Sequence, residues 1–425
     1  MKFKCLSLGC KVNSYECSAL SSLLLSRGFL EAKNDAPDVV IINTCSVTTT
    51  ADQKSRQHIR KMMNLYPNAI VVVMGCYSQG NVEYISREIK PHIVVGTSNR
   101  DKIPDLIDEY LKNKQPIIKV DENPRFYKYE ELGITSYSEN VRAYLKIQDG
   151  CDNFCSYCLI PYRRGKMRSR EKENVIEEAK YLISKGYKEI VLTGIHVGGY
   201  GKDLSGCTFS DLVEELANLP NLNSLRISSI EESEIDDKLI NLIINNRVVA
   251  KHLHIPLQSG SDTVLVRMNR KYNCEQFYQK LLLLRKALPD VALTTDVIVG
   301  FPGETEEEFQ ETVEFIKKCG FNMLHVFPFS AREGTKAYAM KDQIDPRVKK
   351  ERTAVLLDLS KELWGKYTDR FIDKDVEVLI EKVDRAENSS TGHTNNYLDV
   401  KIAEKCYKPG DIITVKLQKS MIISK

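Results

Sequence analysis

Cys151, Cys155 and Cys158 fall within eight residues, in Gly150-Cys151-Asp152-Asn153-Phe154-Cys155-Ser156-Tyr157-Cys158, directly after an apolar strand-like run. A loop this short can wrap one metal centre. Zinc sites usually draw four ligands from two separated pairs, and no fourth cysteine or histidine stands near. Three thiolates on a four-iron cluster leave one iron with an open position, where a cofactor or substrate can bind and accept an electron. On spacing alone, a zinc site and three incidental cysteines remain alternatives. A second triplet is dispersed: Cys10, Cys45 and Cys76 each follow an apolar run, in Leu8-Gly9-Cys10, Asn43-Thr44-Cys45 and Met74-Gly75-Cys76, spaced 35 and 31 residues apart. That is about one βαβ unit per step. Parallel strands deliver their C-terminal ends to one sheet edge, where ligands collect in open α/β folds. One such cysteine is ordinarily a small buried hydrophobe, but three in register point to a second three-thiolate cluster. The other six, Cys5, Cys17, Cys207, Cys274, Cys319 and Cys406, show no ligand spacing and are expected in core or surface.

These sites need parallel sheets to hold them. The 425 residues suggest about three domains. Residues 1–112 alternate apolar runs (3–8, 39–42, 70–74, 93–95) with helical stretches, which predicts an open parallel sheet. Between the first two runs a helix is expected, with Asn13 and Glu16 as a capping box, Leu20, Leu23 and Leu24 as its stripe, and Gly28 closing it. Residues 113–140, polar and irregular, read as a linker. Residues 141–366 carry six strand candidates (143–147, 190–192, 224–228, 251–256, 294–299, 323–327) separated by helices, which predicts a partial (β/α)6 barrel. Residues 367–425 turn to short alternating runs (376–380, 398–402, 412–417) punctuated by Gly392 and Pro409-Gly410, which suggests a small antiparallel β-barrel. The fold class is therefore α/β.

Hydrophobic residues make up 42% and charged residues 28%, which excludes a largely disordered chain. No apolar run approaches membrane-spanning length and no signal-peptide pattern opens the chain, so the expected location is cytoplasmic, with no membrane partner and reduced or metal-bound thiols. A net charge of +3 leaves nucleic-acid binding to local patches. The strongest is Arg163, Arg164, Lys166, Arg168, Arg170 and Lys172, interrupted by Glu171 alone, right after the cysteine loop; it is expected to hold RNA phosphates. A smaller set, Lys54, Arg56, His58, Arg60 and Lys61, reads as an exposed helix face. The segment from 367 is charge-neutral, with ten basic and ten acidic residues.

Cys-x3-Cys-x2-Cys after the first strand of a partial barrel resembles the radical S-adenosylmethionine enzymes. With the N-terminal triplet, the chain resembles over its whole length the radical S-adenosylmethionine methylthiotransferases, which join an auxiliary-cluster domain, a radical barrel and an RNA-binding TRAM domain. The resemblance implies two 4Fe-4S clusters, on Cys151, Cys155 and Cys158 and on Cys10, Cys45 and Cys76, with S-adenosylmethionine bound at the first and cleaved to a radical. It implies Tyr157 against the adenine. Gly194, Ser229, Gln258 and Gly300, at the strand ends, are the expected further cofactor contacts. The segments Gly9-Cys10-Lys11-Val12-Asn13-Ser14-Tyr15-Glu16 and Thr193-Gly194-Ile195-His196-Val197-Gly198-Gly199-Tyr200-Gly201 are most similar to the branch acting on N6-threonylcarbamoyladenosine beside the tRNA anticodon. The isopentenyladenosine and ribosomal-protein aspartate branches are the alternatives, and a non-catalytic iron–sulfur tRNA-binding protein is the non-enzymatic one. Implied partners are the tRNA anticodon loop, an electron donor such as flavodoxin or ferredoxin, and a sulfur source.

Overall fold

The computed structural model describes residues 1–124, 127–133, 141–403 and 407–423. Its first domain is a six-stranded parallel sheet of β1 (Lys2–Ser7), β2 (Leu30–Glu31), β3 (Val39–Thr44), β4 (Ile70–Gly75), β5 (Ile93–Val95) and β6 (Ile117–Lys119), in the order β2-β1-β3-β4-β5-β6. β3 and β4 are buried at every position, so their continuous β-branched runs are those of a strand covered on both faces. The two-residue β2 was not foreseen, and β6 lies in the segment expected to be linker; both are edge strands too short to leave a period in the sequence.

The helix Lys11–Ser26 forms, but not as expected at its start. It begins at Lys11 with Cys10 as N-cap and no side-chain cap, so Asn13 and Glu16 lie inside it. Both turn inward: Asn13 Nδ2 donates to Asn43 Oδ1 at 2.9 Å, and Glu16 enters a buried ion network described below.

The barrel strands are β7 (Arg142–Lys146), β10 (Glu189–Thr193), β11 (Ser224–Ile227), β12 (His252–His254), β13 (Ala292–Val299) and β14 (Met323–Pro328), all parallel within their sheets. A short antiparallel pair, β8 (Gln148–Asp149) with β9 (Arg168–Ser169), closes the loop between them. The six barrel strands form two three-stranded sheets, β11-β10-β7 and β12-β13-β14, bridged at Leu225↔Val249 and Ser229↔His254. Alternation sorts the two faces. Ala143, Leu145, Ile190, Leu192, Leu225, Leu253 and Leu293 pack against the helices, while Arg142, Lys146, Glu189, Arg226, His252 and His254 take the opposite face. The helices start where the chain supplies reciprocal caps, at Thr208/Asp211, Asn273/Gln276 and Thr305/Glu308.

The C-terminal strands β15 (Asp375–Asp384), β16 (Ser389–Thr394), β17 (Asp399–Ile402) and β18 (Ile412–Lys416) make an antiparallel sheet in the order β17-β16-β15-β18. Gly392, expected to mark a turn, sits inside β16. A Cβ there would strike the Leu379 carbonyl of the paired strand, so the glycine serves close backbone approach. The 24-residue helix Pro346–Asp369 runs through the expected boundary at 366; its Trp364 and Tyr367 pack with Ala292 and Met323 of the barrel and Val378 and Leu398 of the sheet. Contacts such as Arg226 Nη2 to the Thr394 carbonyl (3.3 Å) and His393 to Glu189 (3.1 Å) seat this sheet at the N-terminal ends of the barrel strands. No helix of the described residues is long and apolar enough to cross a membrane.

Candidate metal centres

Cys151, Cys155 and Cys158 lie in the loop tied off by β8 and β9, at the C-terminal end of β7. Gly150 has φ +73, and a Cβ on it would collide with the Lys166 carbonyl, so only glycine lets the two arms of the loop approach. The 267–270 segment braces the loop from the other side: Ser156 N–H donates to Met268 O (3.0 Å) and Asn269 Nδ2 to Phe154 O (2.9 Å). Each sulfur has a polar neighbour. Arg270 Nη1 donates to Cys155 Sγ (3.3 Å), Ile160 N–H to Cys158 Sγ (3.4 Å), and Asn153 N–H to Cys151 Sγ (3.5 Å), with His196 Nδ1 3.9 Å from Cys151 Sγ. Burial pushes the Cys158 thiol up to about 12. Burial opposes charge on His196 too, but its bonds to Cys151 and Glu234 hold the ring up at about 10. Donors aimed at three sulfurs suit thiolates bound to a cluster.

The expected cofactor contacts follow strand ends on this same rim. The turn at Gly194 is held by Gln148 Oε1, which accepts from Ile195 N–H (3.1 Å) and His196 N–H (2.7 Å). Ser229 is exposed beside the bridge to His254. Gln258 has φ +67, and its backbone joins Asp296 and Ile298 of β13. Gly300, φ +68, donates to Glu304 Oε2 (2.6 Å), itself paired with buried Arg352 (2.6 Å). Tyr157 packs against the Val264, Met268 and Phe301 cluster. A cavity of about 100 Å³ opens between Cys155, His196, Glu231, Glu234 and Arg270.

Cys10, Cys45 and Cys76 leave the C-terminal ends of β1, β3 and β4, three adjacent strands whose register pairs Ser7 with Asn43 and Thr44 with Gly75. They share the one edge that their spacing implied. Gly9 has φ +139, and a Cβ on it would stand 2.7 Å from Cys45 Cβ, so the Cys10 and Cys45 segments touch. Cys10 is exposed at the helix N-cap, its Sγ 3.1 Å from Asn13 Oδ1; Cys45 and Cys76 are buried. Burial raises both buried thiols, Cys76 to about 11. Arg164 Nε donates to Cys76 Sγ at 3.2 Å. Three thiols at each site, with N–H donors on the three loop sulfurs and on Cys76 at the sheet edge, fit a three-thiolate cluster. Among the described residues no three His, Cys, Asp or Glu side chains close on a single metal-ion position.

The basic run is corrected by the structure. Arg164, Arg168 and Arg170 are buried rather than displayed. Arg164 pairs with Glu16 and Asp149, Arg168 with Asp149, and Arg170 with Glu131 and Glu178. Lys166 is exposed, while Arg163 is half-buried with its guanidinium against Gly80, so Lys166 alone of the five expected RNA contacts is fully exposed. Sequence reasoning missed the carboxylates that draw the arginines in, above all Glu16, fully buried on the inward face of its helix. Burial disfavours its charge, yet Arg100, Arg164 and Lys146 hold it well below the usual carboxylate range.

Comparison with known proteins adds to this geometry. The Radical SAM superfamily model matches residues 145–316, and the model of the uncharacterized protein family UPF0004 matches residues 2–96. A protein of Bacillus subtilis named threonylcarbamoyladenosine tRNA methylthiotransferase MtaB is 46% identical over 97% of this chain and 93% of its own length. Its namesake from Aquifex aeolicus is 36% identical over 94% of this chain and 96% of its own length. A tRNA-2-methylthio-N(6)-dimethylallyladenosine synthase of Acetivibrio thermocellus is 34% identical over 98% and 88% respectively. Among solved structures, the radical S-adenosylmethionine methyltransferase TsrM of Kitasatospora setae superposes with TM-score 0.57 at 15% identity, covering 76% of this chain and 72% of that one, a likeness of fold.

Proposed function

The chain belongs to the radical S-adenosylmethionine methylthiotransferases, and on that premise we propose that it converts N6-threonylcarbamoyladenosine beside the tRNA anticodon to its 2-methylthio derivative. The observation that carries this reading is a pair of three-thiol sites, one per domain, joined by Arg164, which follows Cys158 in one loop and donates to Cys76 at the other. Two 4Fe-4S clusters and S-adenosylmethionine, when bound, supply the radical and the sulfur and methyl groups. Cys151, Cys155 and Cys158 would hold the first cluster, and Cys10, Cys45 and Cys76 the auxiliary one. Tyr157, Gly194, Ser229, Gln258 and Gly300 orient the cofactor on the strand-end rim, and the polar neighbours of the three sulfurs stabilise their negative charge.

Lys11 supports the threonylcarbamoyl substrate. It directly follows Cys10, is exposed, and shares its surroundings with Arg142, Arg226 and Glu189. Among the described residues no carboxylate pairs with it. A threonylcarbamoyl group ends in a carboxylate, which such a cation recognises, whereas a dimethylallyl group is apolar and would leave it unpaired. Lys166, exposed, and Arg163, half-buried, are the candidates for the RNA backbone, and residues 367–425 are the proposed RNA-binding domain beside an auxiliary domain at 1–112, a linker over 113–140 that lends β6 to the auxiliary sheet, and a radical core at 141–366. An electron donor such as flavodoxin or ferredoxin, a sulfur source and a cytoplasmic setting complete the reading.

The test is nucleoside mass analysis of tRNA from cells with and without the gene. Loss of 2-methylthio-N6-threonylcarbamoyladenosine supports the assignment. Its persistence with loss of the isopentenyl counterpart moves the enzyme to that branch, and no change in either refutes tRNA methylthiolation.

A further inference from the structure

Arg164 ends the short helix Ile160–Arg164, six residues past Cys158, and is completely buried. Its Nε donates to Cys76 Sγ at 3.2 Å, and its Nη1 to Glu16 Oε1 at 2.8 Å and Asp149 Oδ1 at 3.1 Å. Arg100 also pairs with Glu16 and with Glu130, and Lys146 bridges Glu16 (3.0 Å) and Asp149 (2.7 Å). Arg168 completes the set at 3.1 Å from Asp149. Four buried cations thus face three carboxylates. A surplus positive charge away from water is costly without an anion beside it. The surplus borders Cys76, toward which the Arg164 Nε–H is aimed.

We propose that Arg164 is a positioning residue for the auxiliary cluster. Its Nε–H bond to the Cys76 thiolate anchors the anionic site and raises its reduction potential, as hydrogen bonds to cluster sulfurs do. Because the same residue ends the helix after Cys158, one side chain links the two cysteine sites. The surrounding carboxylates set the guanidinium angle, so the ion network orients a donor rather than merely filling space. This inference rests on reading Cys10, Cys45 and Cys76 as a cluster site.

The test uses full-length protein reconstituted anaerobically in a Cys151→Ala/Cys155→Ala/Cys158→Ala background, where the auxiliary site alone binds iron. An EPR-monitored redox titration compares Arg164 with the double variant Glu16→Gln/Arg164→Gln, which removes one charge of each sign and deletes the N–H···S bond. The expected result is a midpoint moved to more negative potential; an unmoved midpoint at full iron content overturns the proposal. A second measurement needs no Arg164 variant: with 15N-arginine, pulsed EPR of the reduced auxiliary cluster should detect one coupled guanidinium nitrogen, and its absence also overturns the proposal. If the background protein binds no iron at all, the cluster assignment itself falls, and the role of Arg164 with it.

Discussion

Arg332, in the loop after β14, donates from Nη2 to Asp52 Oδ2 at 2.7 Å and to Ser46 Oγ at 3.0 Å, across the contact between barrel and N-terminal domain. Ser46 directly follows Cys45, so this pair braces the auxiliary edge next to that cysteine. Both side chains are largely buried, at 8% and 13% exposure. Removing one partner of such a pair strands a charge. Arg332→Ala should lower unfolding free energy by about 3 kcal/mol in denaturant titration. Asp52→Ala should cost a similar amount, and the double variant clearly less than the sum.

Gly150 carries the loop of Cys151, Cys155 and Cys158. Ala there must adopt a left-handed backbone and displace the Lys166 carbonyl, so Gly150→Ala should destabilise by at least about 2 kcal/mol. Iron analysis is the sharper readout. Reconstituted Gly150→Ala should lose roughly half of its iron, that of the Cys151 site, and keep the auxiliary share; full iron content would count against the loop geometry.

His393 supplies a pH dependence of its own. Burial opposes its charge, but Glu189 and Glu381 outweigh both burial and the nearby Arg142, and its pKa is raised. Both carboxylates are held below their ordinary values and stay ionised at neutral pH. A raised folded-state pKa stabilises fully below the unfolded value of about 6.5 and loses that contribution as pH climbs through the folded value. The stability gap between wild type and His393→Gln should therefore be widest near pH 6 and narrow in more alkaline buffer. A gap that widens with pH would contradict the assignment.

Lys11 tests the substrate. A charge-assisted hydrogen bond contributes about 1.5–3 kcal/mol, so Lys11→Met should reduce kcat/KM on threonylcarbamoylated tRNA by about tenfold or more. Affinity for the same tRNA without the threonylcarbamoyl group should be unchanged. Equal losses on both RNAs would make Lys11 a general phosphate contact.

Uncoupling separates the two sites. A Cys10→Ala/Cys45→Ala/Cys76→Ala protein should still form 5′-deoxyadenosine with dithionite while yielding no methylthiolated nucleoside. Loss of both would mean that the N-terminal triplet supports the radical step itself.

Most of the architecture was legible because it is written locally. β3 and β4 are unbroken β-branched runs, and the cysteines after them follow from strand direction alone. What local reading missed depends on partners far along the chain. Glu16 satisfied the residue types of a capping box, yet its partners Arg100, Lys146 and Arg164 lie 84 to 148 positions away. The run from Arg163 to Arg170 looked like a solvated strip because charges usually are; Glu16, Glu131, Asp149 and Glu178, brought to it by the fold, turn three of its arginines inward. Gly392 looked like a turn, since nothing in β16 alone announces the Leu379 carbonyl pressed against it.

The ion network also orders events in time. Glu16 and Arg100 leave the ribosome well before Lys146, Asp149, Arg164 and Arg168, which complete their pairing. At about 5–20 residues per second, the nascent N-terminal sheet waits several seconds with its inward charges still hydrated. Its final closure therefore belongs to the birth of the barrel, and a chain stalled between the two would present to the cell an unfinished, water-filled edge at the place where iron is to be inserted.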